Sequence, residues 1–253
     1  MAHGYRTLQH WDHWLTQQTL GKCLLDAEKQ ILKTLLDRHF GKHATVIGVP
    51  SQYRLLQSTM VPCHTLISPL LTRDKHIHAV EAQFHDLPIL TGSMDLVVLP
   101  HTLELIEGPR QLLAEACRIV KPEGLIVICG FNPYSLWGVR RLLNKQKSAP
   151  WTNSFIQPLH IRNWLQLAEF KLEKQTRILY RPPFTHPTLF DKFNFVEHLG
   201  DKCFPALGGV YVLLARAKVI PLTPIRLKWK QKLSNIRIST TIPGNIVGSV
   251  SKV

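Results

Sequence analysis

Three short stretches hold residue types that can move a proton or a chemical group. In "LPHTLE", residues 99–104, His101 stands three places before Glu104. An unperturbed imidazole, with a pKa of about 6.5, can accept or release a proton at neutral pH, so His101 is a candidate general acid or base. It can equally pack against a neighbour or cap the next helix. Glu104 either orients His101 or occupies the first turn of that helix, where the dipole favours an acid. In "FNPYSLWG", residues 131–138, Asn132 precedes Pro133 and is either a turn former or an amide lining an acceptor pocket. In "VPCH", residues 61–64, Cys63 is the one cysteine with the look of a nucleophile. The histidine pairs "HWDH" and "HIH" lack the spacing of a zinc site, and no metal is expected.

These residues need strands and helices to bring them together, and the hydrophobic pattern supplies both. From Leu20 to Phe40, apolar residues recur at three and four and stop at Gly41, which predicts an amphipathic helix. Leu8, Trp11, Trp14 and Leu15 predict a shorter helix or docked arm ahead of it, with Gly21 as the break. The strand candidates "ATVIGV", "CHTLISPL", "IHAVEAQF", "MDLVVLP" and "GLIVICGF" then follow. Between the last two, Pro109 opens a helix whose apolar face is Leu112, Leu113, Ala116, Ile119 and Val120, and "KPEG" ends it. Strands alternating with helices predict an α/β fold, a doubly wound and mostly parallel sheet. Beyond it, "NPYSLWGVRRLLN", "PLHIRNWLQLAEF" and "PTLFDKFNFVEHLG" read as helices. "KLEKQTRILYRPP" and "GGVYVLLARAK" read as strands, the last an antiparallel strand at the sheet edge.

Composition bounds the rest. The chain has 253 residues, 45% of them hydrophobic, enough for one globular domain with extensions. Five cysteines without a C-x-x-C pair suit buried thiols in a reducing cytoplasm. No run predicts a membrane span. The net charge of +14 is uneven: nine bases and no acid follow Asp201, which leaves 31 − 9 = 22 bases against 17 acids before it. We divide the chain into a helical extension (1–41), an α/β domain (42–218) and a basic tail (219–253) read as mobile.

Residues 85–143, from "HDLPIL" through "CRIVKPEGLIVICGFNPYSLWGVRRLL", resemble the central part of class I S-adenosylmethionine-dependent methyltransferases of the ubiquinone-biosynthesis-like group. The resemblance is closer to a bacterial branch carrying "LPHTLE" and "GFNPxSLWG", and it covers roughly residues 20–216. It implies a Rossmann-like methyltransferase fold, S-adenosylmethionine as cofactor, and ligand positions at the carboxyl ends of strands one to five. After strand one these are Gly48, Val49 and Ser51, where only Gly48 survives of a glycine-rich loop. After strand two comes Ser68 in place of an acid. After strand three come Gln83, Phe84, Asp86 and Leu87, and after strand four His101. Phe131, Tyr134, Trp137 and Trp164 would shape an apolar pocket for a small or lipid-like acceptor. Two further readings stay open: a catalytically silent methyltransferase fold, and an RNA methyltransferase using the basic tail, although nucleic acid is disfavoured. Cys63 falls between strands one and two, which is the wrong place for a cytosine-type nucleophile.

Overall fold

The computed structural model describes residues 2–70, 72, 74–143, 151, 154–183 and 207–219. The predicted helix over 187–200 and residues 220–253 of the basic tail lie outside them. Two helices come first, α1 (Ala2–Gln17) and α2 (Thr19–Leu36). Next are β1 (His43–Ile47), a 3₁₀ helix (Pro50–Ser58), β2 (Cys63–Ser68), β3 (Ala79–Glu81) and β4 (Met94–Pro100). After these come α3 (Thr102–Leu105), α4 (Pro109–Ile119), β5 (Val120–Phe131), α5 (Leu136–Leu143), α6 (Pro158–Leu167), β6 (Phe170–Ile178) and β7 (Val210–Ala217).

The seven strands make one sheet in the order β3-β2-β1-β4-β5-β7-β6. Strands β1 to β5 pair in parallel, while β7 runs antiparallel to both β5 and β6. The chain starts in the middle at β1, runs outward to β3, then crosses back to β4. The switch point therefore lies between the carboxyl ends of β1 and β4, where open α/β sheets leave a crevice. The central strands read as near-continuous apolar runs because both faces are covered: Leu96 to Leu99 and Ile126 to Ile128 are essentially inaccessible.

Four expectations are corrected. The last strand is antiparallel as expected, but it lies inside the sheet, and β6 forms the edge. Helix α2 ends at Leu36, and Phe40 stands 77% exposed beyond it. Gly41 serves a close approach instead of a helix stop, since a Cβ there would lie 2.6 Å from the Asp95 Cβ. Asp95 accepts from the backbone N–H groups of Lys42 (2.9 Å) and His43 (3.0 Å), which pins the entry to β1. Gly21 likewise is not the break between the first helices, which comes at Gln18; a Cβ on Gly21 would meet the Trp14 carbonyl at 2.3 Å. That bare backbone lets α1 fold down onto α2 and bury Leu8, Trp11 and Leu15. The "KPEG" segment does not form a loop after α4, because β5 already begins at Val120 and Glu123 passes through it with φ 64°.

Candidate functional site

β1 delivers Gly48 to the switch point, and the 3₁₀ helix that follows turns Gln52 back over it. Gln52 is fully buried. Its Oε1 accepts from the Val49 N–H (3.0 Å), and its Nε2 donates to the Pro100 carbonyl (2.8 Å). One amide thus ties the end of β1 to the end of β4. A Cβ on residue 48 would lie 2.2 Å from Gln52 Oε1, so the space above the bare glycine is held by that side chain. The Thr102 hydroxyl adds a second tie, donating to the Ile47 carbonyl at 2.5 Å.

β4 delivers His101, whose φ of 59° places it in the left-handed region, a strained turn for a residue with a Cβ. The ring is completely buried. Its Nε2 donates to Glu28 Oε1 at 2.8 Å, and its Nδ1 to Glu104 Oε2 at 3.1 Å. Burial alone would push the imidazolium down; the two carboxylates, Glu28 foremost, more than reverse this and hold it at about 9. Glu104 also accepts from the Phe131 N–H (2.9 Å), yet burial keeps its carboxyl above the ordinary range. The second oxygen of Glu28 has no hydrogen-bond partner among the described residues. Trp11 and Phe131 close the ring in, with centroids 5.5 and 4.2 Å from that of His101.

Sequence reasoning placed His101 and Glu104 here and left open whether they meet; they do. It missed Glu28, Gln52, Asp12 and Trp11. A signal for Glu28 was present, since it interrupts the apolar stripe Leu24, Glu28, Leu32 at four-residue spacing, and an acid on a buried stripe requires a partner. Asp12 accepts from the Ser51 N–H at 2.9 Å, which fixes α1 to the start of the 3₁₀ helix.

The other expected residues are spread along the strand ends. Ser68 is buried, and its hydroxyl accepts from the Leu70 N–H (3.1 Å), closing a turn. Phe84 and Leu87 are buried, whereas Gln83 and Asp86 are exposed. Glu115 and Arg118 of α4 hold this loop, Arg118 donating to the Leu87 carbonyl at 3.0 Å. Asn132 is occupied in its own turn: its Oδ1 accepts from the Tyr134 N–H (3.1 Å) and its Nδ2 donates to the Gly208 carbonyl (2.9 Å). Of the four aromatics expected to shape an acceptor pocket, two meet and one faces solvent. Phe131 and Trp137 stack in the core at 5.5 Å, while Tyr134 is 66% exposed. Among the described residues there is no group of three metal-ligating side chains and no helix long and apolar enough to cross a membrane.

The strand order is that of a known group of α/β folds, and comparison with known proteins agrees. The profile of the methyltransferase-domain family matches residues 58–128. The uncharacterised protein YafS of Escherichia coli (strain K12) is 31% identical over 162 residues, 62% of each chain. A demethylmenaquinone methyltransferase of Clavibacter sepedonicus is 38% identical over 71 residues, 28% of this chain and 29% of that one. The malonyl-[acyl-carrier protein] O-methyltransferase of Methylovorus sp. (strain MP688) is 27% identical over 129 residues, 51% of this chain and 43% of that one. The chain thus spans less than two-thirds of the length of each of these relatives. Among solved structures, an S-adenosylmethionine-dependent methyltransferase of Thermotoga maritima superposes with a TM-score of 0.63 at 19% identity, over 86% of this chain and all of that one. One from Archaeoglobus fulgidus gives 0.53 at 16% identity, over 74% and 94%. These structural likenesses show a Rossmann-like fold.

Proposed function

We propose that the chain transfers a methyl group from S-adenosylmethionine to a small or lipid-like acceptor, with the cofactor at the β1/β4 switch point. The observation that carries this reading is the bare backbone of Gly48 beside a donor and an acceptor, the Val49 N–H and the Pro100 carbonyl, that converge on one removable side chain. Gln52 already satisfies both groups with an amide, so a polar ligand can take over the same pair once that side chain rotates away. The bound cofactor would supply an activated methyl on a sulfonium, leaving the protein to hold, orient and exclude water. Gly48 and Val49 would hold it at β1, Ser68 at β2, and Phe84, Leu87 and the exposed Gln83 and Asp86 along the following loop.

His101 we assign to positioning. Both ring nitrogens are engaged and the ring is fully buried, so it carries no free site for an acceptor's proton. It instead fixes the strand end against α2 and α3. The acceptor class is supported by relatives named as a demethylmenaquinone methyltransferase and a malonyl-[acyl-carrier protein] O-methyltransferase.

Calorimetry of the full chain with S-adenosylmethionine and S-adenosylhomocysteine tests the proposal. Saturable binding is expected, tightened by Gln52→Ala and abolished by Gly48→Leu. Absence of heat at about millimolar ligand with both the wild type and Gln52→Ala would show a fold that no longer binds cofactor.

A further inference from the structure

We infer a further site, on the side of the 3₁₀ helix that faces α1 and α2, that binds a phosphomonoester. Between α1, α2 and the 3₁₀ helix lies a cleft of about 460 Å³, within the range of small-molecule sites. One turn after another of α2 sends Lys22, Asp26 and Lys29 into it, residues whose spacing of four and three puts them on one helix face. From the other wall comes Arg54, which shares a face of the 3₁₀ helix with Ser51 three residues before it.

Three features point to a ligand of defined charge. Lys22, Lys29 and Arg54 form no ion pair among the described residues, even though Asp26 lies on the same helix face. The lining carries three cations against the Asp26 carboxylate, with Asp12 beside it on the Ser51 N–H, so the cleft stays net positive and suits an anionic phosphomonoester with several acceptor oxygens. The Ser51 hydroxyl is buried in the lining and has no hydrogen-bond partner among the described residues, while its backbone N–H is already bonded to Asp12. A guanidinium offers paired donors to phosphate oxygens, lysines add point charge, and the hydroxyl supplies a further donor. Buried Leu15, Leu25 and Leu55 form an apolar floor, so the phosphate would sit on a body with carbon surface of its own.

The test uses the full chain at low salt and does not depend on methyl transfer. Calorimetric titration with inorganic phosphate and glycerol 3-phosphate should show one-site saturation, weakened about tenfold or more by Arg54→Gln and by the pair Lys22→Gln/Lys29→Gln. All three positions are exposed, so melting temperatures should match the wild type. The pair Lys228→Gln/Lys230→Gln, in the basic stretch of the sequence after residue 219, should leave binding unchanged. Co-sedimentation with vesicles of phosphatidic acid in phosphatidylcholine distinguishes the source. Sedimentation lost in Arg54→Gln assigns the phosphate to a lipid head group; saturation by glycerol 3-phosphate without sedimentation assigns it to a soluble metabolite. No saturation by either probe, or weakening by the 228/230 pair alone, overturns the site.

Discussion

Replacing Glu28 with Gln removes the group that contributes most to keeping His101 charged, and the consequence is readable as a pH dependence of stability. The folded imidazolium is held at about 9 against an unfolded value of about 6.5, a shift equivalent to about 3 kcal/mol for a completely buried ring. A raised histidine contributes stability that is fully present below the unfolded value and is lost as pH climbs toward the folded one. Between about pH 7 and 8 the native state keeps a proton the unfolded chain releases, so the wild type should lose about 1 kcal/mol over that unit. This window avoids the competing groups. His39 and His64 are lowered by burial and act in the opposite direction, mostly below pH 7. Cys117 and Cys129 are pushed up by burial and matter only once unfolded thiols ionise, near about 8.5. Glu28→Gln should flatten the slope and cost about 3 kcal/mol at pH 7, because the buried imidazolium retains only Glu104. Urea unfolding followed by tryptophan fluorescence at both pH values measures this. A wild type equally stable at both, or a variant with the same slope, would refute a charged His101.

The tie at the switch point predicts a double-mutant result. Gly48→Ala must displace Gln52 and break its two buried hydrogen bonds, costing about 2–4 kcal/mol, whereas Gly48→Ala in a Gln52→Ala background should cost clearly less; additive losses in chemical denaturation would sink the plug. Asp95, held at about 2 by Lys121 and the Lys42 and His43 N–H groups, contributes stability present above about pH 4 and lost as pH falls toward 2. Asp95→Asn should remove that acid limb of the stability profile by about 2 kcal/mol, and an unchanged profile would contradict the pairing. Among the four cysteines described, exposed Cys63 should react first with a thiol reagent and Cys129 last, tracked by mass spectrometry; early labelling of Cys129 in the folded protein would mean that the β5 end is open.

The fold was legible where burial writes itself into long apolar runs. Strands β4 and β5 and helix α4 fall close to where periodicity places them, because covered parallel strands tolerate few polar residues. The boundaries that failed were set by contacts distant in sequence. Gly41 and Gly21 both look like stops, but each is bare for a partner, Asp95 in one case and the Trp14 carbonyl in the other. The order of β6 and β7 was not legible either, since antiparallel pairing is the same whether a strand ends at the edge or turns inward. At the site, the Glu104–His101 contact lies within helical reach, three residues apart. Gln52 spans 48 residues to Pro100, and Glu28 spans 73 to His101, distances over which composition carries no pairing information.

The residues that close the strand ends lie outside the matched profile. The family match covers 58–128, which includes β2 to β4, α4 and most of β5, together with His101 and Glu104. Gly48, Gln52, Glu28, Asp12 and Trp11 all precede it, and together they close the strand ends. A fold's sheet can be kept while its ligands change, because sites are carried by the loops and by whatever packs over them. Here α1 and α2 are not an appendage. They supply the carboxylate that holds His101, the carboxylate that anchors the 3₁₀ helix, and the indole that covers the site. Any ligand entering at the switch point must therefore exchange contacts with the first 60 residues of the chain as well as with the strand ends. Differences in ligand between this protein and methyltransferases sharing its central sheet are expected to originate there.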